Sequence, residues 1–98
     1  MIYLDPSGIF IREECISGGS TKRLHLQSRR LLQRAFDLGA AALILVHNHP
    51  SRNPIASEED VETTKRLATV AAALEIELLD HLIVGGQRIY SVREGVIL

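Results

Sequence analysis

The run Ala42-Leu43-Ile44-Leu45-Val46 is the stretch that most restricts what this chain can fold into. It is apolar at every position and of strand length. Continuous runs of this kind sit in the middle of a sheet with both faces buried, whereas a strand with one wet face alternates. Its surroundings supply the neighbours a central strand needs. Met1 to Leu4 reads as the end of a strand, Asp5-Pro6-Ser7-Gly8 as a turn, and Ile9 to Ile16 as the returning arm of a hairpin. Ser17-Gly18-Gly19-Ser20 ends that arm. From about Gln27 to Leu38 the residues Leu31, Leu32, Ala35, Phe36 and Leu38 follow helical spacing, and Gly39 is placed to follow the last turn.

Beyond the central run, Pro50 and Pro54 mark a loop from His49 to Ala56, and a long helix is expected from Ser57 to about Leu74. Its inward stripe is Val61, Thr64, Leu67, Ala68, Ala71 and Leu74, with Glu58, Glu59, Glu62, Lys65 and Arg66 facing water. Ile76 to Val84 is a strand, Gly85-Gly86 turns it, Arg88 to Val92 returns, and Val96 to Leu98 pairs as a last short strand. No repeat, linker or low-complexity segment divides the chain. The order predicts a single α/β domain over residues 1–98, a mixed sheet sandwiched by helices.

Ninety-eight residues bury roughly two-thirds of the surface their unfolded chain exposes, enough for one core without staples. A net charge of −1 gives no electrostatic footprint for nucleic acid. Lys22, Arg23, Arg29, Arg30 and Arg34 form a modest basic cluster, read as a solvated helix face. Cys15 is the single cysteine, so no intramolecular disulfide forms, and a reducing, cytoplasmic setting is expected. No cation lies beside Cys15 in sequence to make it a thiolate, so it reads as a small apolar strand residue. Asp5 and Pro6 interrupt any N-terminal signal segment, and no apolar run approaches the ~20 residues that span a bilayer.

The chemistry concentrates where the apolar run ends. His47 and His49 are two apart, and side chains two apart on a strand share a face. They can aim two imidazoles at one point, and neutral imidazole is a common zinc ligand. Asp60 follows Ser57 by three residues, in the first turn of the long helix. A metal held by two imidazoles and one carboxylate keeps a fourth position open, as catalytic zinc sites do. A second reading stands beside this one. Ser57 is a good N-cap, Asp60 a natural first-turn acid, and His-x-His occurs by chance in many chains.

His47-x-His49-Pro50, six residues, then Ser57-x-x-Asp60 resembles the signature of the JAMM (Jab/MPN) metalloprotease superfamily. His47-Asn48-His49-Pro50-Ser51 after Ala40 to Val46, together with Asp80-His81-Leu82-Ile83-Val84-Gly85 and Tyr90-Ser91-Val92 to Gly95-Val96-Ile97-Leu98, is similar to the RadC branch. The similarity covers essentially the whole chain. It implies the cytidine deaminase-like JAMM fold and a Zn2+ held by His47, His49 and Asp60, with water as nucleophile. It also implies that Ser57 stabilises the oxyanion during hydrolysis of an amide or isopeptide bond.

Two departures from the family pattern follow. The family's general-base glutamate precedes the stretch matching Met1-Ile2-Tyr3-Leu4-Asp5, and the 98 residues contain no counterpart; Glu13 and Glu14 lie on the return strand. The N-terminal helical domain usual in RadC proteins has no counterpart either. Either the 98 residues are a fragment of a longer protein, or they are a short form that keeps the metal site and has lost full catalytic equipment; as given, the expectation is a metal site with impaired turnover. Three functions are therefore carried forward: a zinc metallopeptidase or isopeptidase domain acting on a peptide or isopeptide substrate, a non-catalytic metal-binding or protein-interaction module, and a DNA-repair protein. The near-neutral charge and the lack of a stacking platform predict little nucleic-acid binding. His81, after Asp80 on an apolar strand, is expected to be a core histidine hydrogen-bonded to backbone, with a supporting partner of the metal ligands or a substrate contact as the alternative.

Overall fold

A computed structural model of the chain describes residues 1–13 and 30–98. Cys15, Glu14 and the basic residues Lys22, Arg23 and Arg29 lie outside the described residues, as does the expected start of the first helix near Gln27. The elements are β1 (Ile2–Leu4), β2 (Phe10–Glu13), helix α1 (residues 30–37), β3 (Ala42–Asn48), α2 (Glu58–Ala73), β4 (Glu77–Gly85), β5 (Arg88–Ser91) and β6 (Val96–Ile97). They form a six-stranded sheet in the order β2-β1-β3-β4-β5-β6. Among the described residues only the β3–β4 pair is parallel, and α2 makes the crossover between these strands. The fold is the mixed-sheet α/β domain expected from the sequence. No helix among the described residues is long and apolar enough to cross a membrane.

The hairpin turn forms as its residues require. Asp5 Oδ1 accepts the backbone N–H groups of Ser7 and Ile9, and Gly8 takes a positive φ of 79° that its missing Cβ permits. Gly39 does the same after α1, at φ 69°. Leu31, Leu32 and Ala35 of α1, Leu67 and Ala71 of α2, and Tyr3, Leu43 and Leu45 of the sheet meet in one buried cluster. Full burial of a leucine such as Leu45 stabilises the fold by about 1.5–3 kcal/mol. Both helices deliver apolar residues to this cluster, which lies on the face of β3 that carries Leu43 and Leu45. Leu43 and Leu45 are buried, Ala42 and Ile44 half-buried, and Val46 is 41% exposed. The unbroken apolar run does not distinguish this arrangement from burial on both faces.

Two details of packing position the site. The buried line of α2 is Asp60, Thr63, Leu67 and Ala71, while Val61, Thr64 and Ala68 are half-buried and Leu74 is exposed. The stripe is rotated from the one hydrophobicity predicts, because the first turn is oriented by Asp60 rather than by Val61. The second detail is in β4. Leu43 pairs with Leu78 but Ile44 with Asp80, leaving Leu79 as an extra residue. A one-residue insertion flips the side-chain alternation. Leu78 packs against the core, and His81, only three residues on, is buried on the same face, opposite Leu45. The Leu79 carbonyl accepts the Arg93 guanidinium (3.1 Å).

Candidate metal centre

His47 is the last residue but one of β3 and His49 the first beyond it, at the end of the strand that faces the start of α2. Their rings stand edge to face, 89° apart, with centroids separated by 4.8 Å. Asp60 comes to them from the first turn of α2 and is only 1% exposed. His49 Nε2 lies 3.1 Å from Asp60 Oδ2, and His47 Nδ1 lies 3.7 Å from Asp60 Oδ1. One ligand atom from each of the three residues falls within 4.8 Å of the others, the spread a single ion can span. The sequence therefore predicted three residues that the fold does bring together.

The site is held from several directions. Ser57 is the N-cap of α2: its Oγ accepts the Asp60 N–H (3.1 Å), and the Ser57 N–H donates to Asp60 Oδ2 (2.9 Å). This reciprocal pair is a capping box. Cap and metal readings of Ser57 and Asp60 are thus not alternatives, because the cap is what fixes the carboxylate in front of the histidines. His49 Nδ1 sits 2.9 Å from the Asn53 carbonyl. A carbonyl only accepts, so Nδ1 carries a proton, and Nε2, 3.1 Å from Asp60 Oδ2, is the ring nitrogen turned toward the site, the one a metal ion would take in place of a proton.

The loop carrying that carbonyl is braced by a residue whose spacing in sequence gives no such signal. Gly85, read from sequence as part of a turn, is the last residue of β4 and is buried against the loop. A Cβ there would lie 2.5 Å from the Pro54 backbone nitrogen and 2.8 Å from the Asn53 carbonyl carbon. Both are backbone atoms, so the loop must shift. Gly85→Ala is expected to lower stability by about 1–3 kcal/mol, the usual range for overpacking. It should also weaken metal binding by displacing the Asn53 carbonyl from His49. Urea denaturation and zinc titration of the variant check the two effects, and an unchanged zinc affinity would show that the loop does not orient His49.

His81 is fully buried and stacks on His47, with ring centroids 5.7 Å apart and planes at 26°. Its side-chain partner is the Thr64 hydroxyl, 2.7 Å from Nδ1, rather than the backbone group expected from sequence. Burial, reinforced by the neighbouring His47 imidazole, lowers its pKa from 6.5 to about 4. The folded chain thus refuses a proton that the unfolded chain takes up near pH 6.5. Stability should be greatest above that pH and fall as the pH drops from about 6.5 to about 4, by on the order of 3 kcal/mol. Urea midpoints of the chelator-treated chain across that window measure it. His81→Phe, with nothing to protonate at this position, should flatten the curve; an equally steep curve would assign the dependence elsewhere.

Arg52 and Asn53, in the loop after the two histidines, are exposed. Arg52 takes a left-handed backbone (φ 67°), and Asn53 Oδ1 accepts the Ile55 N–H (3.2 Å). Glu13 is exposed on β2, with β1 between it and β3.

The sequence matches the RadC-like JAB domain family over residues 1–97. It is similar to the UPF0758 protein YkfG of Escherichia coli (strain K12), 40% identical over 98 residues that cover all of this chain and 62% of that protein. It is 39% identical over 98 residues to the UPF0758 protein YfjY of the same organism, covering 61% of it. A UPF0758 protein of Geobacillus sp. (strain WCH70) is 42% identical over 93 residues, covering 95% of this chain and 41% of that protein. The chain thus spans between two-fifths and just over three-fifths of the length of these relatives.

Proposed function

Since the chain belongs to the RadC-like JAB domain family, we propose that it is a zinc-dependent hydrolase domain acting on the amide or isopeptide bond of a peptide substrate. The observation that carries the reading is the convergence of His47, His49 and Asp60 within ligand distance of one point. Two nitrogen donors and one carboxylate form a donor set that suits zinc and leaves a position open. The buried carboxylate and the His49 ring, held at Nδ1 by the Asn53 carbonyl so that Nε2 is turned to the site, fit a divalent cation.

Each residue has a part. His47, His49 and Asp60 hold the ion; a bound zinc supplies Lewis acidity toward a carbonyl and toward water. Ser57 is exposed at the helix start and uses its oxygen, not its proton, in the cap. Its hydroxyl is free to donate to an oxyanion, a contribution typically worth ~10²–10³ in rate. The substrate is taken to be a protein or peptide rather than nucleic acid, in keeping with the near-neutral charge.

Metal removal tests the reading. Purified chain dialysed against zinc should retain close to one ion per chain, and hydrolysis of a peptide or isopeptide substrate should appear with zinc and vanish with chelator. A chain that retains no zinc, or hydrolyses equally well in chelator, would overturn it. Bound zinc without zinc-dependent hydrolysis would leave the non-catalytic metal-binding module as the function.

A further inference from the structure

Thr64 and His81 occupy the flank of the metal site, and neither carries a ligand atom of the three-residue group. The Thr64 hydroxyl lies 2.7 Å from the Asp60 carbonyl oxygen and 2.7 Å from His81 Nδ1. It has one proton to give. If it donates to the Asp60 carbonyl, His81 Nδ1–H donates to Thr64 Oγ1 and both contacts are hydrogen bonds. If it donates to His81, the contact to the carbonyl is lost. The first arrangement satisfies more groups and fixes His81 as the Nδ1–H tautomer.

His81 Nε2 is then a bare acceptor, buried and without a hydrogen-bond partner. A phenylalanine or leucine would fill the same space without burying an unsatisfied polar atom. What histidine offers instead is the Nδ1–H donor, together with a flat ring that stacks on His47. The backbone of His81 is fixed as well: its N–H donates to Asp80 Oδ1 (2.7 Å), while Asp80 Oδ2 accepts the Ser91 hydroxyl (2.6 Å).

We propose that His81 and Thr64 are positioning residues of the metal centre, the His81 ring bracing His47 of β3 while its Nδ1–H, through Thr64, holds the first turn of α2 that carries Asp60. One side chain from β4 thereby sets the spacing between a ligand of the strand and a ligand of the helix. The bulge at Leu79 makes this possible by turning His81 to that face. The inference rests on the reading of His47, His49 and Asp60 as ligands, and its test separates the two.

The test uses cobalt(II) as a spectroscopic probe, with zinc competition for affinity and melting of the chelator-treated chain for stability. Thr64→Val removes the hydroxyl at nearly constant volume, and Thr64→Ser keeps it. Thr64→Val should weaken metal binding by about 10–100-fold, as loss of an outer partner of a ligand does, and alter the visible cobalt spectrum. Thr64→Ser should retain affinity and spectrum. His81→Phe should match Thr64→Val, and the double variant should lose no more than either alone, because the two residues act as one unit. Should Thr64→Val fail to fold, Thr64→Ala against Thr64→Ser gives the same comparison. A Thr64→Val chain with unchanged affinity and spectrum overturns the positioning role, even if its melting temperature falls. An unvaried chain that binds neither metal removes the ligand assignment, and the positioning role with it.

Discussion

Asp60→Ala should abolish zinc retention, with a loss of affinity larger than the roughly 10–100-fold that removing an outer partner causes. The carboxylate has two jobs that the structure makes separable. It faces both imidazoles, at 3.1 Å from His49 Nε2 and 3.7 Å from His47 Nδ1. It also accepts the Ser57 N–H and closes the capping box. Asp60→Ala removes both, so the chelator-treated variant should lose about 1 kcal/mol from the cap as well as its metal. Asp60→Asn keeps an oxygen for Ser57 but presents a neutral amide to the ion. It should melt close to the unvaried chain in chelator and still retain no zinc. Zinc at a thousand times its dissociation constant stabilises a binding-competent chain by about 4 kcal/mol, so melting with and without zinc reads the difference directly. If Asp60→Asn is stabilised by zinc as the unvaried chain is, Asp60 is a cap alone.

The second large effect concerns turnover. Residues 1–98 with saturating zinc should hydrolyse a peptide or isopeptide substrate slowly. The family resemblance implies a glutamate ahead of the stretch matching Met1 to Asp5, and general acid–base help of that kind contributes ~10²–10⁴-fold. Among the described residues the three-residue group holds one carboxylate, Asp60, whose Oδ2 already accepts the Ser57 N–H. Glu13 points from an edge strand into solvent, with β1 between it and β3. Extending β1 at its N-terminal side to carry a glutamate should therefore raise the rate by about that factor. The comparison is made at saturating zinc, so that occupancy is not the variable. Equal rates for the two chains would mean that another group moves the proton, and Glu13 and Glu14 would be the first to substitute.

The sequence by itself determined most of the described elements and the three residues that meet at the candidate site. The apolar run at Ala42 to Val46 requires a central strand, Ser57 reads as an N-cap with Asp60 in the first turn, and two histidines two residues apart share a face; each is a local rule satisfied within a few residues. The rotation of α2 lay outside such rules. Its hydrophobic spacing favours Val61, Thr64, Leu67, Ala68, Ala71 and Leu74; Leu67 and Ala71 are buried as expected, but Asp60 and Thr63 complete the buried line. The cap and the histidines on a different element orient the first turn, and hydrophobicity treats Asp60 as a surface residue. His81 could not be assigned from sequence either. Strict alternation does not carry Leu78 and His81 to one face; the extra residue at Leu79 does, and a bulge of this kind depends on how β4 meets β3. The bracing of the His49 loop by Gly85 is likewise a contact between segments some thirty residues apart in sequence. Tertiary packing decided these because each depends on where a second element stands, and that position is not set by the local chain.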